Sequence, residues 1–284
     1  MKLLKKLIQI LLINKFLEQK HMFDISVNLT HIRFSRDREL VINRAIQNNI
    51  NGMLILGSTI QDSKLAYHIA TKYVFCWSSV GVHPHYANLW TKHSSQKISS
   101  LIEQNTIKII ILGECGLDYY RNYSTVKEQL YVFNAQLELA AQYNLPVLLH
   151  CRNAFNDFTA ILKKWIGKIP VSVIHCFSGN TYELETCLDM NLAIGISETF
   201  FNKKYRSSSY NDIFLIPQNK LVTGSDSPYL LFKDKYPDIY TTYKGRNEPA
   251  LLYNLIKKIS LYRNEDIYML QHVTEHNARV LLRI

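Results

Sequence analysis

Residues 109–119 read IIILGECGLDY and set four aliphatic side chains directly before the carboxylate of Glu114. An apolar run this short, closed by glycine, reads as a buried strand. An acid at the end of such a run is costly to bury unless charge or hydrogen bonding compensates it. A cation is the economical compensation; the alternative is a strand-end Glu that simply reaches solvent. The same construction recurs in PVLLHCR (146–152), VSVIHCFSG (171–179) and KLVTGSDSPYL (220–230), which deliver His150, His175 and Asp226. The carboxyl ends of successive strands of a parallel barrel converge on one rim, where groups distant in sequence become neighbours.

Four further apolar runs, FDISVNL (23–29), GMLILG (52–57), CWSSVGV (76–82) and AIGIS (193–197), bring the total to eight. Between them, apolar positions at three- and four-residue intervals predict helices over 37–48, 63–72, 125–143, 154–166, 181–190, 249–262 and 266–282. Alternating strands and helices predict the α/β class, a (β/α)8 TIM barrel of the metal-dependent hydrolase type. A chain of 284 residues, 47% hydrophobic and 20% charged, accommodates one such domain over 22–284.

Residues 1–21 lie outside this pattern. MKLLKKLIQILLINKFLEQK mixes lysines with an apolar run, but Asn14, Lys15, Glu18 and Lys20 interrupt its later half. No small-residue cleavage site follows, which argues against export, and the segment is too short and too charged to span a bilayer. A dispensable extension is expected, with a basic amphipathic helix as the alternative, and a cytoplasmic protein without a membrane span. The segment 200–211, rich in Ser, Lys and Tyr, reads as a rim loop able to touch substrate.

Five cysteines, Cys76, Cys115, Cys151, Cys176 and Cys187, form an odd set without a CxxC pair, which argues against a disulfide framework or zinc knuckle. Alternation along a strand predicts that Cys151 and Cys176 face away from His150 and His175 as packing residues. The formal charge of +10 favours a polyanionic partner. The lysines accompany abundant Ile, Asn and Tyr, however, so compositional bias is a competing source of that charge.

Imidazoles at the ends of neighbouring strands, beside Glu114, make His150 and His175 candidate ligands of a divalent ion. Asp226 is placed to orient or deprotonate a metal-bound water, or else to form an Asx turn before Ser227 and Pro228. His83 and His85 flank Pro84 after the third strand; either can contact phosphate or donate a proton, and surface turn histidines are the alternative. Arg152 can hold a phosphate bidentately or pair with Asp157. Tyr86, Tyr119, Tyr120 and Tyr229 are candidate stacking surfaces for unpaired bases.

FDISVNLT, GVHPH, GECGLDYYRNYST, LPVLLHCR, VIHCFSG, SDSPYLL and RNEPA, in this order from Met22 onward, resemble the TatD family of metal-dependent deoxyribonucleases. The resemblance implies a TIM-barrel phosphodiesterase in which Glu114, His150 and His175 bind metal and Asp226 lies beside metal and water. It implies a catalytic imidazole from the His83/His85 loop, with His85 preferred, and Mg2+ as cofactor. It also implies 3′-5′ exonuclease activity on single-stranded DNA and RNA, with a part in repair of oxidative DNA damage. The expected protein is a monomer without a stable protein partner. Two departures stand out: Ser26 and Asn28 replace the His-x-His pair that many relatives carry, and Gly224 replaces a frequent acidic residue. A metal-dependent hydrolase of another substrate, such as D-aminoacyl-tRNA, and a degenerate nucleic-acid-binding barrel are the alternatives.

Overall fold

All eight apolar runs form strands, because each is short, bounded by turn residues and apolar enough to be buried on both faces. They are β1 Met22–Val27, β2 Ile50–Ile55, β3 Cys76–Val80, β4 Ile109–Asp118, β5 Val147–Arg152, β6 Val173–Ile174, β7 Ala193–Ile196 and β8 Leu221–Thr223. The computed structural model describes residues 21–202, 209–231 and 245–284. Each strand pairs in parallel with the next, in the order β1 to β8. The residues after β8 return to β1, where Asp226 N donates to Ser26 O at 3.0 Å and Asn28 N to Ser227 O at 2.9 Å. The result is a nearly closed barrel.

The helices among the described residues are α1 Arg38–Gln47, α2 Ile60–Ala70, α3 Ser94–Gln104, α4 Val126–Gln142, α5 Phe155–Leu162, α6 Thr181–Asp189, α7 Leu252–Arg263 and α8 Ile267–Leu282. Two starts follow from capping boxes: Thr125 with Glu128 opens α4, and Asn180 with Glu183 opens α6. α5 ends at Leu162, earlier than expected. α3 was not expected, because the serines of SSQKISSLIEQ dilute its pattern, although Ile98 and Ile102 are buried one turn apart. The first 20 residues, and residues 203–208 of the predicted rim loop 200–211, lie outside the described residues. No described helix is long and apolar enough to cross a membrane.

Strand alternation sorts the core into two bodies. Met53, Ile55 and Leu149 face the surrounding helices. Phe23, Leu54, Leu56 and Leu148 fill the barrel, with Leu281 and Leu282 of α8 joining that cluster. Above this apolar plug the strand ends turn polar.

Candidate active site

β4 runs further than its neighbours, to Asp118, and its pairing with β5 shifts register between Gly113 and Cys115. Gly116, at φ +145°, lies so close to β5 that an added Cβ would come within 1.9 Å of His150 O. That close approach carries His150 beside the carboxylates of β4. Glu114 is buried rather than reaching solvent. Its Oε1 lies 2.9 Å from His150 Nδ1, 3.6 Å from His83 Nε2 and 3.9 Å from His175 Nε2. His175 Nε2 is also 3.6 Å from Asp226 Oδ1. Glu114, His150, His175 and Asp226, spread over residues 114–226, therefore meet at one mouth.

Asp118, which the sequence reading did not single out, is the second centre. Its Oδ2 lies 2.8 Å from His85 Nε2 and 3.1 Å from His150 Nε2. Its Oδ1 accepts the backbone N–H groups of Tyr120 and Arg121 at 3.0 and 2.8 Å. The signal was present: Asp118 is four residues beyond Glu114 on a strand, hence on the same face. Both ring nitrogens of His150 thus lie within hydrogen-bond distance of a carboxylate.

The two histidines of GVHPHY have different tasks. His83 caps the 3-10 turn Pro84–Leu89, its Nδ1 accepting from His85 N at 3.1 Å. With Nδ1 accepting, the neutral ring carries its proton on Nε2, which points toward Glu114. His85 is partly exposed and oriented by Asp118.

Asp226, at φ +51°, stands on the seam between β8 and β1. The backbone turns there, Tyr229 N donating to Asp226 O at 2.9 Å. The carboxylate itself faces His175 and accepts Asn28 Nδ2 at 3.1 Å. Arg33 braces the turn through Pro228 O at 3.1 Å, and Asn247 through Ser225 O at 2.8 Å. The RNEPA motif is thus a support: buried Arg246 joins Asp37 at 2.6 Å and Glu248 at 2.8 Å. Ser26 and Gly224 face one another, and a Cβ on Gly224 would sit 2.1 Å from Ser26 Oγ. The space for a side chain at 224 is taken by the serine.

Cys176 departs from expectation. β6 ends at Ile174, so alternation no longer governs, and Cys176 takes φ +46°. It lines the groove, its sulfur within 4.8 Å of ligand atoms of His175 and Asp226. Cys151 packs on the outer core as expected and also borders the groove. The Arg152 guanidinium lies 3.8 Å from the Tyr120 ring centroid, while Asp157 accepts the Tyr119 hydroxyl at 2.7 Å.

Charge follows geometry. Burial works against ionised Glu114, yet His175, His83 and His150 hold its carboxyl far below the usual range. Asp118 is also held low against burial, by its hydrogen bonds to His150 and His85. Burial opposes the charged His150 ring, but Asp118 and Glu114 raise it to about 9. His83, which burial dominates, is driven well below its ordinary value. Carboxylate oxygens and imidazole nitrogens gathered in one place are donors that suit a divalent ion. Ligand atoms of His83, Glu114 and His150 lie within 4.8 Å of one another, as do those of His175, Cys176 and Asp226. The donor set fits a metal ion. The groove above it measures about 660 Å³ and is lined by Arg33, Arg121 and Arg152.

Comparison with known proteins agrees with this architecture. A protein named 3′-5′ ssDNA/RNA exonuclease TatD from Pantoea ananatis is 41% identical over 261 residues, covering 92% of this chain and 98% of its own. Its namesake from Salmonella typhimurium is 38% identical, covering 93% and 99%. Among solved structures, a TatD-family hydrolase from Entamoeba histolytica superposes with a TM-score of 0.80 at 25% identity, covering 92% and 98%. YJJV, a TatD homologue of Escherichia coli K12, shares the fold with a TM-score of 0.83 at 20% identity, covering 94% and 99%. The model of the TatD-related DNases matches residues 23–283, and the chain belongs to that family.

Proposed function

We propose that this chain is a divalent-metal-dependent 3′-5′ exonuclease of single-stranded DNA and RNA, with Mg2+ as the working ion and the cytoplasm as its compartment. The observation that carries the reading is the convergence of Glu114, His150, His175 and Asp226 at the floor of a groove lined by arginines. Kinship with proteins named for that activity supports it over most of both chains. Glu114, His150 and His175 would hold the metal. When bound, such an ion polarises a phosphodiester oxygen and lowers the pKa of water.

The chain's own groups supply the rest. Asp226, steadied by Asn28, accepts a proton from the attacking water. His85, oriented through Nε2 by Asp118, keeps Nδ1 for donating a proton to the departing oxygen. His83 presents its Nε2–H toward Glu114 and stabilises that carboxylate. Arg33, Arg121 and Arg152 attract the phosphate backbone, and Tyr86, Tyr123 and Tyr229 expose ring faces at the mouth on which bases can stack.

The test is digestion of 3′-labelled and 5′-labelled single strands with magnesium, with chelator, and by Glu114→Ala and His175→Ala. Release from the 3′ end that needs magnesium and is lost in both variants is expected. Metal-independent release, or unchanged rates in both variants, overturns the reading.

A further inference from the structure

A smaller cavity of about 190 Å³ opens beside the groove and shares Cys151, Arg152 and Ser178 with it. Its walls combine ring surface from Phe155, Phe177 and Tyr120 with the polar side chains of Asn153 and Glu183. The fold holds these walls in place. Phe177 is buried, and Phe155 rests against Phe158 and Tyr182 at centroid distances of 6.3 and 6.4 Å. Glu183 is held at the start of α6, its Oε2 accepting Asn180 N at 2.9 Å.

Arg152 and Glu183 in the wall offset one another, so this cavity lacks the net positive charge that a backbone subsite requires. Aromatic side chains together with polar groups suit a nucleobase, which has π faces and an edge of donors and acceptors. The position suits one too: Arg152, stacked on Tyr120, stands where the cavity meets the groove.

We propose that this side cavity receives the base of the 3′-terminal nucleotide that is being removed, an inference that rests on the exonuclease reading above. A base paired and stacked in a duplex must leave its helix to enter, and an unpaired terminal base enters at little cost. The cavity therefore selects single-stranded ends.

The experiment measures kcat/KM for release of the first residue from three strands: one intact, one abasic at the 3′ terminus, and one abasic at the third position. Wild-type protein is expected to lose about 5- to 100-fold on the terminal abasic strand, the range of one stacked base, and nothing on the third-position strand. Phe155→Ala and the bulkier Phe155→Leu, both checked for folding by thermal melting, are expected to handle intact and abasic termini alike. Equal rates of wild type on intact and terminally abasic strands, or undiminished discrimination by both variants, overturns the proposal. If no strand is shortened, the exonuclease reading fails, and a 3′-terminal 2-aminopurine decides base entry by itself. Quenching by wild type but not by Phe155→Ala supports the cavity, and equal quenching by both rejects it.

Discussion

On the β3–β5 side of the mouth, buried carboxylates are met by imidazoles. On the β1–β8 seam they are met mostly by amides. Glu114 faces His150 and His175, and Asp118 faces His150, imidazoles raised above their ordinary value and so able to take up positive charge. Asp24, fully buried in β1, accepts the backbone N–H groups of Ser26 and Ser225 on its Oδ1, at 3.1 and 2.9 Å, and its Oδ2 has no hydrogen-bond partner. The outcomes differ in sign. Glu114 and Asp118 stay ionised despite burial, whereas burial outweighs the seam's hydrogen bonds and pushes Asp24 up to about 7. A buried carboxylate keeps its charge when its partners can carry the opposite one, and fixed dipoles at this seam do not suffice. Asp226 sits at the boundary, with Asn28 on one side and His175 on the other.

The strongest way to break this contrast is Glu114→Ala, which removes the carboxylate that three imidazoles face. Loss of a ligand's hydrogen-bond partner typically costs about 10- to 100-fold. For the carboxylate proposed to hold the metal, the loss is therefore expected to exceed about 100-fold in kcat/KM, with metal affinity by calorimetry falling in step. A variant within tenfold of wild type would place the metal elsewhere. Next comes Asp118→Asn, which takes the negative partner from His85 and His150 together. A drop of about 10- to 100-fold is expected, accompanied by a changed pH–rate profile; an unaltered profile would show that Asp118 only braces the loop.

On the seam, effects should appear in stability. Gly224→Glu forces a side chain onto Ser26 Oγ, and overpacking of this kind costs about 1–3 kcal/mol. Adding Ser26→Gly should recover most of the loss in denaturant titrations, and additive losses would refute the spatial coupling of the two positions. Asp24→Asn is the subtlest. A carboxyl at about 7 when folded and 3.8 ordinarily binds protons more tightly in the folded state, so its contribution worsens as pH rises from about 4 through 7. The variant should melt higher than wild type at pH 8, with the advantage gone below about pH 4. An advantage independent of pH would assign the gain to packing.

Much of the barrel was legible because its cues are local. Four aliphatic residues before Glu114, or the run before His150, announce a buried strand whatever lies elsewhere. Where cues were diluted, as among the serines of α3, reading failed. Asp118 was passed over because an Asp ahead of two tyrosines at a strand end resembles any turn acid. Its importance lies in His85 and His150, 33 and 32 residues away. Cys176 was misplaced because alternation was carried past the end of β6, into a residue with left-handed backbone.

The sequence by itself determined that eight strands would form in order and that Glu114, His150, His175 and Asp226 would stand near strand ends, since run length and periodicity are properties of contiguous residues. Only the tertiary structure decided which atoms face which: that His150 bridges two carboxylates, that Ser26 fills the space at Gly224, and that an aromatic cavity lies beside the groove. Those relations depend on strand register, barrel closure and the approach of backbones to within a side chain's reach, which involve residues too far apart in the chain for any local pattern to encode.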